Sequence, residues 1–228
     1  MDVGSVGALE QLVSAPRFQT YLRYYRGDQQ LASWLYAWNI EISSAFWGPL
    51  SILEVAVRNA LHNTLANGRA EAWWELSETR LLNNDRAILD ETIAKLQRRI
   101  SSPSPGQVVA ALLFGFWTRL LDKGIPRDPL LSYETAFWQP RLVRAFPHGA
   151  NLKRKVLFTE LTQIREMRNR IAHHEPIFKM PLETIKTDVS RIAGYVHVDA
   201  TAIMNGCSRV ATVLARKQSA ITHGFSSF

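Results

Sequence analysis

The chain has 228 residues, 46% of them hydrophobic, with seven Trp and ten Phe: enough apolar material for a sizeable core and too much for a disordered chain. Its 27 basic and 20 acidic side chains leave a net charge of +7, which favours a polyanionic partner, nucleic acid first, without fixing any specificity. The one cysteine, Cys207, excludes an intrachain disulfide and a thiolate metal cluster within a single chain.

In chain order, helical periodicity dominates and no series of alternating strands emerges. The opening stretch MDVGSVGALEQLVSA lacks the basic segment and continuous apolar core of a signal peptide. A first helix is expected from about Ala8 to Tyr25 and an aromatic-rich second from Gln29 to Phe46. "WGP" then breaks the pattern, and Pro49 suits the first turn of a helix through "LSILEVAVRNALHNTLA" that ends before Gly68. Asn84 or Asp85 is the expected cap of a helix carrying "AILDETIAKLQRRI". "SSPSPG" (residues 101–106) punctuates the chain, with Pro105 near the start of one apolar helix through Leu121. It is the best subdomain boundary in the sequence, and equally an ordinary six-residue loop.

The apolar run "VVAALLFGFW" is ten residues long, a core segment too short to span a bilayer, so no membrane partner and a cytoplasmic location are expected. Residues 122–132 carry Gly124, Pro126 and Pro129 and read as a loop. "YETAFWQPRLVRAF" follows, "PHGAN" resets the chain, and Asn151 is the expected cap of a long helix into Ala172. Two more helices are expected over Leu182–Val196 and Ala200–Lys217, with residues 218–228 as a frayed tail. The sum is an all-α bundle of roughly seven helices in a single domain over 1–228, with a possible N-terminal helical extension over 1–47.

Two segments carry polar residues where a core is expected. On the Pro49 helix, Leu50, Leu53, Val57, Leu61 and Leu65 form an apolar arc, with Glu54, Arg58 and His62 spaced four apart on its flank. That pattern suits a salt-bridged helix edge, or a polar strip facing a cleft or partner helix. In the second segment, Leu157, Leu161, Ile164 and Ile171 share a face that also receives Arg168. A guanidinium stays charged, so an inward Arg168 needs a carboxylate, a phosphate or several carbonyls. Asn169 and His173 share another face, and Pro176 ends the helix near Glu175. Basic residues at a helix C-terminus also suit the dipole there, which accounts for the histidines but leaves Arg168 unexplained. Adjacent His173 and His174 point apart on regular helix, so no metal site is expected.

The run "RNRIAHHEPI" from Arg168 to Ile177 resembles the extended signature of the Abi-like (abortive infection) proteins of the HEPN superfamily, whose short motif is Arg, a polar residue, three residues, then His. Glu54 with Arg58 and Asn59 resembles the Glu…Arg-Asn element of the family's earlier helix, and "FGFW" at Phe114–Trp117 another of its hallmarks. These landmarks span residues 54–177.

The resemblance implies an HEPN-like helical bundle with additional flanking helices, and a homodimer in which each chain brings its motif to a shared cleft. It implies a metal-independent endoribonuclease without cofactor, acting in abortive infection or toxin–antitoxin defence. His173 is then the catalytic histidine, Arg168 organises the phosphate, and Asn169 orients the histidine or the backbone. Glu54, Arg58, Asn59 and His174 form a supporting polar layer, and Arg165 and Arg170 are the added RNA contacts. The ribose 2′-hydroxyl is the nucleophile, and the products carry 2′,3′-cyclic phosphate and 5′-hydroxyl ends. The same family includes non-catalytic RNA-binding and antitoxin-like dimers, so that alternative and an RNA or protein antitoxin partner stand beside the nuclease.

Overall fold

Residues 3–228 are described by the computed structural model, and among them helix is the dominant element: α1 (Val3–Val13), α2 (Ala15–Tyr24), α3 (Gln29–Ala66), α4 (Asn83–Gln97), α5 (Pro105–Ala111), α6 (Phe114–Arg119), α7 (Arg154–Ala172), α8 (Leu182–Val196), α9 (Ala200–Cys207), α10 (Val210–Ala215) and α11 (Lys217–His223). No β-strand occurs among the described residues; Gly124 and Ser132 form one isolated bridge. The protein is an all-α helical bundle.

Several boundaries differ from the sequence expectation, each for a local reason. Pro49 lies inside α3 instead of starting a helix. An interior proline costs about 3 kcal/mol, whereas burying one large apolar side chain stabilises by about 1.5–3 kcal/mol. Phe46 and Leu50 on one side of the register and Leu53 and Val57 on the other are all buried, so packing outweighs the break. The expected first helix is two, interrupted at Ser14, where φ is +74°. Likewise the helix expected through Leu121 is α5 and α6, because Leu112 and Leu113 are extended (ψ 125° and 154°). The start of α5 follows the sequence signal: Ser104 and Gln107 exchange side-chain-to-backbone bonds across Pro105.

The start of α4 is a correction. Leu82 occupies the cap position, and neither Asn84 nor Asp85 caps it; the Leu82 amide donates to the Tyr133 hydroxyl at 2.8 Å. Asp85 is 1% exposed and accepts a hydrogen bond from the Tyr133 hydroxyl at 2.8 Å while its other oxygen meets Arg119. Asn151 does not cap α7 either; it sits at φ +55° in the preceding turn, and the first amide bonds of α7 return to the Lys153 carbonyl. The segment expected over Ala200–Lys217 divides into α9 and α10, followed by α11. In α11, Ala220 and Ile221 are buried where fraying was expected.

The chain divides into two compact units. The first comprises Met1–Leu50, Met167–Lys186 and Gly206–Phe228. Phe18, Tyr21, Leu35, Trp38, Ile42 and Ile177 are among its fully buried side chains. Trp38 donates its indole N–H to the Val213 carbonyl at 3.2 Å, and the Lys217 ammonium lies 4.7 Å from its ring centroid. Burial there lowers the Lys217 pKa. α3 is long and apolar enough to cross a membrane by length and composition alone. It nevertheless carries buried Asn39 and Glu41, with Arg216 against the Glu41 carboxylate, an arrangement that suits a core helix.

The second unit comprises Ser51–Glu166 and Thr187–Asn205. Leu53, Val57, Leu61, Trp73, Trp117 and Leu157 are fully buried in it. The "SSPSPG" segment lies inside this unit. Arg154 ties the start of α7 to Glu134 at 2.5 Å and to the Leu121 carbonyl at 2.6 Å. On α8, Arg191 binds Asp188, Glu160 and the Tyr195 hydroxyl; burial opposes its charge, but these bonds raise its pKa on balance.

Candidate functional site

The end of α7 and the residues after it, in the first unit, hold the Arg-Asn-x-x-x-His element. α7 stops by geometry. His174 adopts φ +55°, the Glu175 amide returns to the Arg170 carbonyl at 2.7 Å, and the His174 amide returns to the Ile171 carbonyl at 3.0 Å. This pair of bonds satisfies carbonyls that a helix end leaves open, and the left-handed residue is usually glycine. Where an apolar contact commonly supports such a cap, Arg170 and Glu175 form an ion pair at 3.7 Å. Arg170 also donates to the Pro176 carbonyl at 3.4 Å.

Beyond the cap, the chain is pinned. Asn39 on α3 is 5% exposed, and its Oδ1 accepts the Ile177 and Phe178 amides at 2.9 and 3.1 Å. Ile177 is fully buried, and the Phe178 ring packs 5.2 Å from Tyr21 and 5.0 Å from Tyr24. No sequence signal marked Asn39, which is one of several polar residues, with Ser33, Glu41, Ser43 and Ser44, in an aromatic-rich helical segment.

Each candidate residue has a definite place. Met167 and Ile171 fill the buried stripe of the last turns of α7, and Arg168 beside them is half-buried rather than core. Its guanidinium lies over the Trp47 indole, 5.7 Å from the ring centroid. Asn169 and His173 are exposed on their shared face, joined by the His173 amide to the Asn169 carbonyl at 3.0 Å. Because the last turn is regular, Arg168 and His173 stand about 140° apart around the helix. His174 is exposed and borders a cavity of about 280 Å³ with Arg17, Tyr36, Asn39, Ser43 and Glu175.

Glu54, Arg58, Asn59 and Arg165 belong to the second unit. Glu54 and Arg58 are half-buried, and the Arg58 Nε donates to Asn59 Oδ1 at 3.3 Å. Arg165 donates to the Thr118 hydroxyl at 3.1 Å and lies against Gly115, so the "FGFW" segment packs on this arginine. Sequence reading also passed over a groove of about 630 Å³ in this unit, lined by His62, Asn67, Arg141 and Arg144 among others. Trp73 donates its indole N–H to His62 Nδ1 at 3.3 Å, and burial lowers the His62 pKa against the opposing charge of Glu71. Arg141 donates to the Thr64 and Asn67 carbonyls; burial, with repulsion from Arg69 and Arg144, lowers its pKa too.

Among the described residues, no group of three or more His, Cys, Asp and Glu side chains is placed to hold a metal. Cys207 is exposed and free. Compared with family models, curated proteins and solved structures, the chain matches none.

Proposed function

We propose that the protein is a metal-independent endoribonuclease of the Abi-like, HEPN type, in which His173 moves protons, Arg168 holds the phosphoryl oxygens and Asn169 orients the site. One observation carries this reading. The two-bond stop of α7 and the Asn39 clamp behind it keep His173 solvent-facing at the end of an ordered helix, with Arg168, Asn169 and Arg170 three to five residues before it. An imidazole titrates near neutral pH and exchanges protons with the 2′-hydroxyl and the departing 5′ oxygen. Fixed arginine donors stabilise the charge that develops on the phosphorane. Within the first unit, His174 is the supporting polar neighbour in this proposal and Arg170 contributes an RNA contact; Glu54, Arg58, Asn59 and Arg165 lie in the second unit.

A dimer completes the scheme. Arg168 and His173 diverge around one helix, so a second copy supplies the facing half of the cleft. The net charge of +7 suits RNA as the substrate, and a defence role with an RNA or protein antitoxin follows from the resemblance. The engagement of Arg168 with Trp47 within one chain favours the second reading, a non-catalytic RNA-binding or antitoxin-like dimer. Incubation of labelled single-stranded RNA with purified protein in EDTA separates them. The nuclease yields 2′,3′-cyclic phosphate and 5′-hydroxyl ends and leaves DNA intact; binding without cleavage under any tested RNA leaves the second reading.

A further inference from the structure

The cavity beside His174 has hydrogen-bonding groups whose roles are already assigned by the fold. Asn39 Oδ1 is occupied by the Ile177 and Phe178 amides, so the amino group is what this buried side chain offers the cavity it borders. Ser43 donates its hydroxyl proton to the Asn39 carbonyl at 2.7 Å and therefore faces the cavity as an acceptor. Glu175 brings an acceptor-only carboxylate, steered by Arg170 at 3.7 Å, and Arg17 brings donors only. Tyr36, packed edge-on to Tyr21 at 5.1 Å, supplies an aromatic wall. Burial first, and the neighbouring Tyr36 second, raise the Tyr21 pKa, so that its phenol stays neutral.

The volume of about 280 Å³ admits one flat ring rather than a chain segment. Donors from Asn39 and Arg17 and acceptors from Ser43 and Glu175 line the same cavity, a set that suits a ring edge offering acceptors and donors side by side. Guanine offers O6 and N7 as acceptors and N1–H with the N2 amino group as donors. Uracil has a single N–H, and adenine lacks the keto oxygen. His174, whose left-handed conformation belongs to the stop of α7, forms part of the wall.

We propose that this cavity binds a guanine base of single-stranded RNA, with Asn39 and Arg17 donating to O6 and N7 and with Glu175 and Ser43 accepting from N1–H and N2. The proposal rests on the reading of the chain as RNA-directed, and it makes the cavity the base-selecting part of the site at His173.

The test uses 2′-O-methyl oligouridylates, which lack the nucleophile, so that binding is read apart from cleavage. Fluorescence anisotropy in EDTA compares decamers carrying one central guanine, inosine, adenine or uracil with the full chain. The guanine decamer is expected to bind about tenfold tighter than the uracil or adenine decamers, as one or two charge-assisted bonds require. Inosine, which lacks N2, falls between them. Glu175→Gln and Ser43→Ala, each checked for folding by circular dichroism, are expected to narrow the guanine–uracil gap. Equal affinity for all four decamers overturns the proposal, as does a guanine preference that both variants leave intact. GMP alone is expected to bind at least about tenfold more weakly than the guanine decamer, because it lacks the flanking phosphates; equal binding overturns RNA as the source of the base. A guanine preference in a protein that cleaves no RNA sinks the nuclease and leaves the pocket standing.

Discussion

Asn39 Oδ1 accepts the backbone amide of Ile177 at 2.9 Å, joining residues 138 apart in sequence and fixing the chain just beyond the motif. The same oxygen takes the Phe178 amide, so one side chain satisfies two buried donors. Asn39→Leu strands both. Each unsatisfied buried group costs about 1–3 kcal/mol, so a loss of about 2–6 kcal/mol in urea unfolding is expected. A loss below about 1 kcal/mol would show that the amides find other partners on relaxation.

His174 stops α7 in a left-handed conformation at φ +55°. Glycine adopts that conformation without the penalty of about 1–2 kcal/mol that a Cβ brings. His174→Gly is therefore expected to raise stability by about 0.5–1 kcal/mol, and His174→Val to lower it by more than that. Denaturant midpoints of the two variants, at equal slopes, provide the measurement. If both variants destabilise equally, the side chain of His174 matters more than its backbone angle.

The two motif residues should fail differently. His173→Ala removes proton transfer and leaves the fold and most RNA affinity intact, because the ring is exposed. Arg168→Ala loses phosphate stabilisation, on the order of 2–4 kcal/mol or about 30- to 1,000-fold in rate, and also uncovers Trp47. Lys123→Ala, at an exposed position in the second unit, is expected to change cleavage little. Cleavage in EDTA by wild type and the three variants is the comparison. A folded His173→Ala protein that cuts at the wild-type rate removes His173 from the chemistry.

The proposed shared cleft requires two chains. Sedimentation at micromolar concentration is expected to give twice the 25.9 kDa of one chain, and crosslinking is expected to join one His173 region to the other. A stable monomer with full activity would refute the shared cleft while leaving the roles of the individual residues open to the variants above.

His62 gives a pH signature in the second unit. Burial depresses its folded-state pKa below the ordinary value of about 6.5, so in the window beneath that value the unfolded chain binds more protons. Its contribution is full above about pH 6.5 and is lost as pH falls toward the folded pKa. Stability is thus expected to drop on acidification from pH 7 to 5, and less so in His62→Gln, whose amide oxygen still accepts the Trp73 indole N–H. Parallel pH profiles for the two proteins would rule His62 out as the source.

The sequence by itself determined what periodicity, composition and short-range turn chemistry can determine. The all-α class, a helix start at Pro105, the end of the motif helix before Pro176 and the span Leu182–Val196 were all legible, because each depends on residues within a turn or two of one another. The shared face of Asn169 and His173 was legible for the same reason. Only the tertiary structure decided the rest. Pro49 continues a helix because buried neighbours outweigh its local cost. Asp85 leaves the cap position's work undone because Tyr133 and Arg119, far along the chain, claim its oxygens. Arg168 is not inserted in the core stripe, since Met167 takes that place and Trp47 offers the guanidinium a surface. The Asn39 clamp and the cavity it borders were invisible for the strongest reason: their partners come from separate stretches of chain, and which stretch meets which is decided by burial of the whole first unit, a quantity no local window contains.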